Sequence, residues 1–361
     1  MTHPRRRQIV AVVSVAAFLA AGFLAWRLHT PPALYHMTIL PWRGDWRTAA
    51  RGLNDSDQVI GVASVPGNDE HLFLWDRENG MRDLGPTSAN PLLISNAGQI
   101  SGTISTGPDS QEVYLWQSEE GRALLGTLGG QISIPKAMNN RGQIVGLSDN
   151  AAGAVRPFLW DKEMGMKELS SPDGSQCNPV SINDAGQIVL ESTKQSPTSN
   201  RWFLLDANGW KPLDRVPPDM WLRSINANLC MVGIQNRGSP KSRLLFRDQQ
   251  GTWRRLSSMV DHLSSTRLND KNQIAYTKRD RNLLEGMWHR FFARRSLSFE
   301  TVSYLWDPIR GQIPLNRYVH GMKRFYVEDL NNRGCIVGTA ENEYGGRRSV
   351  LLEPIPERWG K

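Results

Sequence analysis

One phrase recurs seven times along this chain: an aliphatic residue, Asn, two turn residues, Gly, Gln, then an Ile-Val-Gly run. The copies are Leu53-Asn54…Gln58, Ile94-Ser95…Gln99, Met138-Asn139…Gln143, Ile182-Asn183…Gln187, Ile225-Asn226…Cys230, Leu268-Asn269…Gln273 and Leu330-Asn331…Cys335. Counted at the Gln slot, the steps are 41, 44, 44, 43, 43 and 62 residues. A fixed period of this size signals an array of one supersecondary unit, each copy burying the face of its neighbour.

A second phrase keeps a steady distance from the first. Phe73-Leu74-Trp75-Asp76, Tyr114-Leu115-Trp116 and Phe158-Leu159-Trp160-Asp161 each place Trp 17 residues after the Gln slot, whereas Tyr304-Leu305-Trp306-Asp307 sits 33 after Gln273. A third follows at Met81-Arg82-Asp83-Leu84, Met166-Lys167-Glu168-Leu169, Trp210-Lys211-Pro212-Leu213 and Trp253-Arg254-Arg255-Leu256. Short β-branched and aromatic runs bounded by Gly, Asn, Asp and Pro read as strands and turns. Within the turn, Asn folds its side chain onto its own backbone and Gly takes the left-handed conformation. Asp57 and Asn272 tolerate that conformation in place of Gly; Leu229 does not, so the fifth repeat is expected to turn differently.

Each repeat thus gives four strands, the middle two apolar on consecutive residues, as in a sheet covered on both faces. The expected fold is all-β: a seven-bladed β-propeller of four-stranded blades over 37–355, in which Met37-Thr38-Ile39-Leu40 supplies the outer strand of the last blade. A right-handed β-solenoid is the alternative, and would leave the first and last strands apart.

These residues resemble the bacterial HAF-repeat family of predicted extracellular proteins. His71-Leu72-Phe73-Leu74-Trp75, Leu125-Gly126-Thr127-Leu128-Gly129-Gly130 and Met138-Asn139-Asn140-Arg141-Gly142-Gln143-Ile144-Val145-Gly146 carry the resemblance. It implies export and a repeat fold, and no catalytic residue.

The N-terminus gives an address. Ile9 to Trp26 is 18 residues without a charge, about 27 Å as a helix and roughly the core of a bilayer. Arg5, Arg6 and Arg7 precede it, which keeps that end cytoplasmic. The expected order is a basic tail at 1–7, a transmembrane signal anchor at 8–28, a linker at 29–36, the propeller, and a tail at 356–361. Secretion or periplasmic release after signal cleavage is the alternative.

The net charge of +8 is concentrated. Residues 1–30 contribute +4 and residues 279–295 contribute +3, leaving about +1 elsewhere, so the body lacks the basic surface that nucleic-acid binding needs. Three cysteines stand in an exported chain. Cys230 and Cys335 occupy Gln slots of non-neighbouring repeats, too far apart for a disulfide, and read with Cys177 as buried free thiols. No Cys/His spacing points to a metal, and no cofactor motif occurs.

The array is interrupted once, by about 16 residues in the sixth repeat. The insertion, about 280–299, places Leu284, Met287, Trp288 and Phe291 at helical spacing, with Phe292 beside them and Arg290, Arg294 and Arg295 around them. This pattern predicts a short basic amphipathic helix that covers a blade, docks on a partner, or lies on a membrane. Trp288, Arg290, Phe291, Phe292, Arg294 and Arg295 are the candidate binding residues. Trp75, Trp116, Trp160 and Trp306 read as blade core, and Leu190 and Tyr276, which replace the usual Gly, as packing. His71 has no identifiable partner. The acids fall in turn and strand-end slots, and no nucleophile elbow appears. The expected function is a binding or scaffold module for an envelope protein or polysaccharide; a hydrolase or lyase of envelope or extracellular glycans is the alternative.

Overall fold

The computed structural model describes residues 33–41, 47–66, 70–86, 93–170, 176–192, 201–239, 241–258, 266–281 and 299–359. The chain divides into two compact parts, Met37–Glu353 and the two chain ends. In the ends, Trp359 Nε1 donates to Leu34 O at 2.9 Å and the Trp359 ring meets Tyr35 edge-on.

Among the described residues, 37–353 form antiparallel sheets, four-stranded in five of the repeats. In the first repeat Thr48–Leu53, Val59–Ser64, Glu70–Asp76 and Gly80–Pro86 pair in chain order. The fourth to sixth repeats follow the same order. The second and third share one eight-stranded sheet through a parallel bridge, Ile132 to Gln111. In the last repeat the outer strand is Tyr35–Ile39, from the opposite end of the chain, paired to Arg347–Pro354. The expected N-terminal strand therefore takes its expected place.

Consecutive apolar residues serve two neighbours at once. In the first repeat Val59, Ala63, Phe73 and Trp75 pack with Cys335, Val337 and Leu351 of the last. Ile60, Val62, Leu72 and Leu74 pack with Ile100 and Tyr114 of the second. Alternate side chains point to opposite faces, so a fully apolar strand welds one sheet between two others. Each fully buried Phe or Leu is worth about 2–3 kcal/mol. Trp75 is buried, while Trp116, Trp160 and Trp306 are partly buried against the same kind of cluster. The inner and second strands approach closely at the Ile-Val-Gly glycine. A Cβ on Gly146 would lie 2.2 Å from Ile134 O and 2.6 Å from the Phe158 ring. Leu190 and Tyr276 occupy that slot in the fourth and sixth repeats; both are fully buried in inter-sheet clusters, Tyr276 stacked on Tyr304 at 5.8 Å. They are packing residues, as expected.

The turns link repeat to repeat. Asn54 Oδ1 accepts from Ser56 N and Gln58 N, which holds its own turn. Its Nδ2 donates to Ser95 O of the next repeat at 3.0 Å. Asn139, Asn183, Asn226 and Asn269 donate in the same way to the carbonyls of Asn183, Asn226, Asn269 and Asn331. Asn331 Nδ2 donates to Asn54 O at 2.9 Å and brings the circuit back to its start. A solenoid cannot make this last bond. Ser95 is the one member without a carboxamide.

Two expectations are corrected. The fifth repeat does not turn differently: Leu229 takes φ +58°, Leu229 N donates to Asn226 O, and Asn226 N to Cys230 O, as in the other turns. Its side chain packs on the cluster around Met220 and Leu222, and Asn226 Oδ1 still accepts from Asn228 N and Cys230 N; these contacts offset a left-handed Leu, which costs roughly 1–3 kcal/mol. His71 does have a partner, since its Nδ1 lies 2.9 Å from Asp83 Oδ2 across the outer strand pair. All three cysteines are buried and free. Burial and the nearby Asp57 push the Cys335 thiol pKa well up, so it stays protonated and inert.

Candidate functional site

The first strands of the repeats line a cavity of about 270 Å³. Two layers of polar side chains ring it, set by position along the same strands.

The outer layer is the residue after each Asn. Asp55 N donates to Asn96 Oδ1, Asn96 N to Asn140 Oδ1, and Asn140 N to Asp184 Oδ1, all within 2.8 Å. Ala227 N donates to Asp270 Oδ1, Asp270 N to Asn332 Oδ1, and Asn332 N to Asp55 Oδ1. Ala227, with no side-chain acceptor, is the gap. Asn332 Nδ2 also donates to both Asp55 Oδ2 and Asp270 Oδ2, at 3.1 and 2.9 Å. Those two carboxylate oxygens, each about 3 Å from one nitrogen, lie within about 6 Å of each other.

The inner layer comes from a β-bulge. In five repeats the pairing of first and second strand skips one residue: Arg51, Lys136, Val180, Arg223 and Glu328. A bulge frees one residue from the ladder and re-aims its side chain. Arg51, Lys136, Val180 and Arg223 line the cavity, joined by Arg267 and Asp329 from the following position. Four cations thus meet two acids, Glu328 and Asp329. Arg51 Nη1 lies 3.5 Å from Glu328 Oε1, and Arg267 Nε lies 3.1 Å from Asp329 Oδ1. Asp329 Oδ2 also accepts from Leu53 N at 3.0 Å.

Burial raises the pKa of both acids, against the pull of Arg267 on each and of Arg51 on Glu328. Burial, with repulsion from Arg267 and Arg237, lowers Arg223 to about 10, so it remains charged at neutral pH. Arg223 and Arg237 both sit over the Trp221 ring, at 4.4 and 3.3 Å from its centroid.

The predicted binding residues Trp288, Arg290, Phe291, Phe292, Arg294 and Arg295 lie outside the described residues. Their attachment is defined: Arg281 pairs with Phe299 at the end of the strand pair remote from the Asn269 turn. The insertion thus leaves its sheet at the end opposite the outer carboxamide layer. Sequence reasoning missed the inner layer. The signal was a charged residue three before the repeat Asn, at Arg51, Lys136, Arg223 and Glu328, in strands otherwise small or apolar. Among the described residues no group of three or more His, Cys, Asp or Glu is set to hold a metal ion. Nor, among them, is any helix long and apolar enough to cross a membrane; the span expected at 8–28 lies outside them.

No protein-family model and no curated protein matches the chain. Solved structures do. The β-propeller domain of the Trilobed protease from Pyrococcus furiosus, described as an open velcro topology, is 11% identical with a TM-score of 0.58, over 88% of this chain and 95% of that one. Puromycin hydrolase is 16% identical with a TM-score of 0.55, over 84% of this chain and 51% of that one. A puromycin-hydrolyzing peptidase of Mycobacterium tuberculosis is 10% identical with a TM-score of 0.56, over 88% and 53%. The chain spans about half the length of the two peptidases. The likeness shows the fold alone: this is a β-propeller built of four-stranded sheets.

Proposed function

We propose that residues 37–355 form a seven-bladed propeller of the HAF-repeat kind, held outside the cytoplasm by an anchor at 8–28, that binds an envelope protein or polysaccharide at its channel. The observation that carries this reading is the outer layer. Six side chains from six repeats are locked by one another's backbone N–H groups around an open cavity. Polar groups held in place before contact bind with little ordering cost. The basic aromatic insertion, which joins Arg281 to Phe299, is a second contact.

Photo-crosslinking in intact cells tests this. A crosslinker at Asn140, in the outer layer, should trap a defined envelope component that one at exposed Ile309 does not. Equal capture from both positions removes the channel from the binding reading. Replacing Trp288, Phe291 and Phe292 together with Ser should weaken capture, and unchanged capture removes the insertion.

One observation favours a second reading, hydrolysis or lysis of glycans. Asp55 and Asp270 bring two carboxylate oxygens within about 6 Å of each other, and glycoside hydrolysis uses a carboxylate pair roughly 5–10 Å apart. Both accept a hydrogen bond from Asn332 Nδ2. Release of reducing ends from envelope polysaccharide, abolished by Asp270→Asn, would establish that reading over binding alone.

A further inference from the structure

The inner layer does not balance its charge. Pairing takes Arg51 to Glu328 and Arg267 to Asp329. That leaves Lys136 and Arg223 on the cavity wall. Among the described residues neither has an ion-pair partner, and Arg223 Nε is buried with no hydrogen-bond partner. The excess is local to this layer, where four cations stand against two carboxylates even when both are ionised; the outer layer's Asp55, Asp184 and Asp270 line the same cavity at its other end.

Arg223 is also crowded by its own kind. It shares the Trp221 ring with Arg237, and Arg267 is near enough to repel it. Arg237 likewise has no ion pair among the described residues. Beyond Trp221 the surface continues with Asn236, Ser239 and Lys241, which can donate, and with one acid, Asp219. Arg223 is half-buried and Arg237 exposed; the buried part of the Arg223 guanidinium needs a counter-charge or filled hydrogen bonds. Two guanidinium groups share one indole, and among the described residues neither is ion-paired, whether to Asp219 on the same surface or to another acid, so both can take a charge from outside the chain. The guanidinium fork matches the paired oxygens of a carboxylate or phosphate.

We propose that Arg223 anchors an oxyanion site in the channel, taking a carboxylate or phosphate group of the ligand, with Arg237, Arg267 and Lys136 supplying the surrounding positive charge. The proposal rests on the channel being the binding surface. It gives that surface a chemistry: an acidic group enters against the bulge layer, while the ligand's neutral polar groups meet the Asn carboxamides and Asp carboxylates of the outer layer. A uronic acid, an acidic side chain and a phosphodiester share this chemistry.

Titration of the full-length protein in a non-ionic detergent at low salt tests it, with inorganic phosphate, succinate and chloride as probes. Calorimetry should show saturable binding of phosphate or succinate and a rise in thermal midpoint with either. Preference for phosphate assigns the phosphodiester class, and preference for succinate the carboxylate class. Arg223→Gln should weaken binding at least tenfold and leave the midpoint without anion unchanged or higher. Lys136→Met should weaken it less, and Arg254→Gln, whose parent is exposed and paired with Asp248, should change nothing.

Three outcomes overturn the site: no saturable binding, chloride binding as tightly as either oxyanion (an adventitious ion only), or Arg223→Gln binding like the parent. A lower midpoint of Arg223→Gln without anion makes the guanidinium a prop for Trp221, and also overturns it. The titration uses no cellular partner. Its failure leaves the Asn140 crosslink standing, and loss of the crosslink leaves the titration standing, so the two readings fail separately.

Discussion

The two ends of one inner strand obey opposite rules. At its turn end every repeat Asn is buried and its carboxamide is spent: the oxygen on its own backbone, the nitrogen on the next repeat. Three residues earlier, the bulged position carries Arg51, Lys136, Val180, Arg223 or Glu328, and its partners are incomplete. The turn end is uniform because each repeat must meet an identical neighbour. The bulge end varies because it faces the lumen, where no neighbouring sheet constrains it. Along this strand the satisfied end marks architecture, and the incompletely paired end marks the surface left for a ligand.

If that contrast is right, pairing decides what a substitution costs. The largest loss is expected at Asp329, the inner-layer residue that is fully paired. Asp329→Ala strands Arg267 and the Leu53 N–H, and should cost about 3–5 kcal/mol in urea unfolding. Asn331→Ala removes the closing bond and should cost about 2–3 kcal/mol, as buried donors and acceptors are left open. A loss below about 1 kcal/mol would mean that the circuit is decoration.

A finer test uses the Gln slot. In three repeats its oxygen lies against the Gly of the next turn; a Cβ at Gly98 would be 3.2 Å from Gln58 Oε1, one at Gly142 2.6 Å from Gln99 Oε1, and one at Gly186 3.4 Å from Gln143 Oε1. Where the slot holds Cys230 or Cys335, the next turn instead carries Asn272 or Asp57, whose oxygen takes the Asn nitrogen at 2.8 or 2.9 Å. Cys335→Gln and Asp57→Gly should each destabilise, and together recreate the common arrangement. A double-mutant cycle should show about 1–2 kcal/mol of favourable coupling; additivity would sink the explanation. Ser95→Ala, at the one link without a carboxamide, should cost less than about 1 kcal/mol.

The smallest effect is in pH. Burial raises the pKa of Glu328 above its ordinary 4.5, so the folded state holds that proton more tightly than the unfolded chain. Its contribution is present below the ordinary value and is lost as pH rises through the raised one. Glu328→Gln should flatten that part of the stability–pH curve, and an unaltered curve would place the carboxylate in water.

The repeat phrase determined much by itself. The strand count, the turn with its left-handed residue, the two-faced sheets and the N-terminal strand in the last sheet were all legible, because each follows from local backbone preference and a fixed period. Leu229 was misread because propensity alone condemns a left-handed Leu, and only packing shows what offsets it. His71 was misread because Asp83 becomes its neighbour through strand register. Most of the inner layer was present in the letters, as charges three before the repeat Asn in four repeats, but a charge in a strand has no direction until a bulge turns it inward. Which Cys is matched by which turn residue was decided by tertiary structure alone: Cys335 meets Asp57 because the last repeat lies beside the first, and a linear sequence has no such adjacency until the circuit closes.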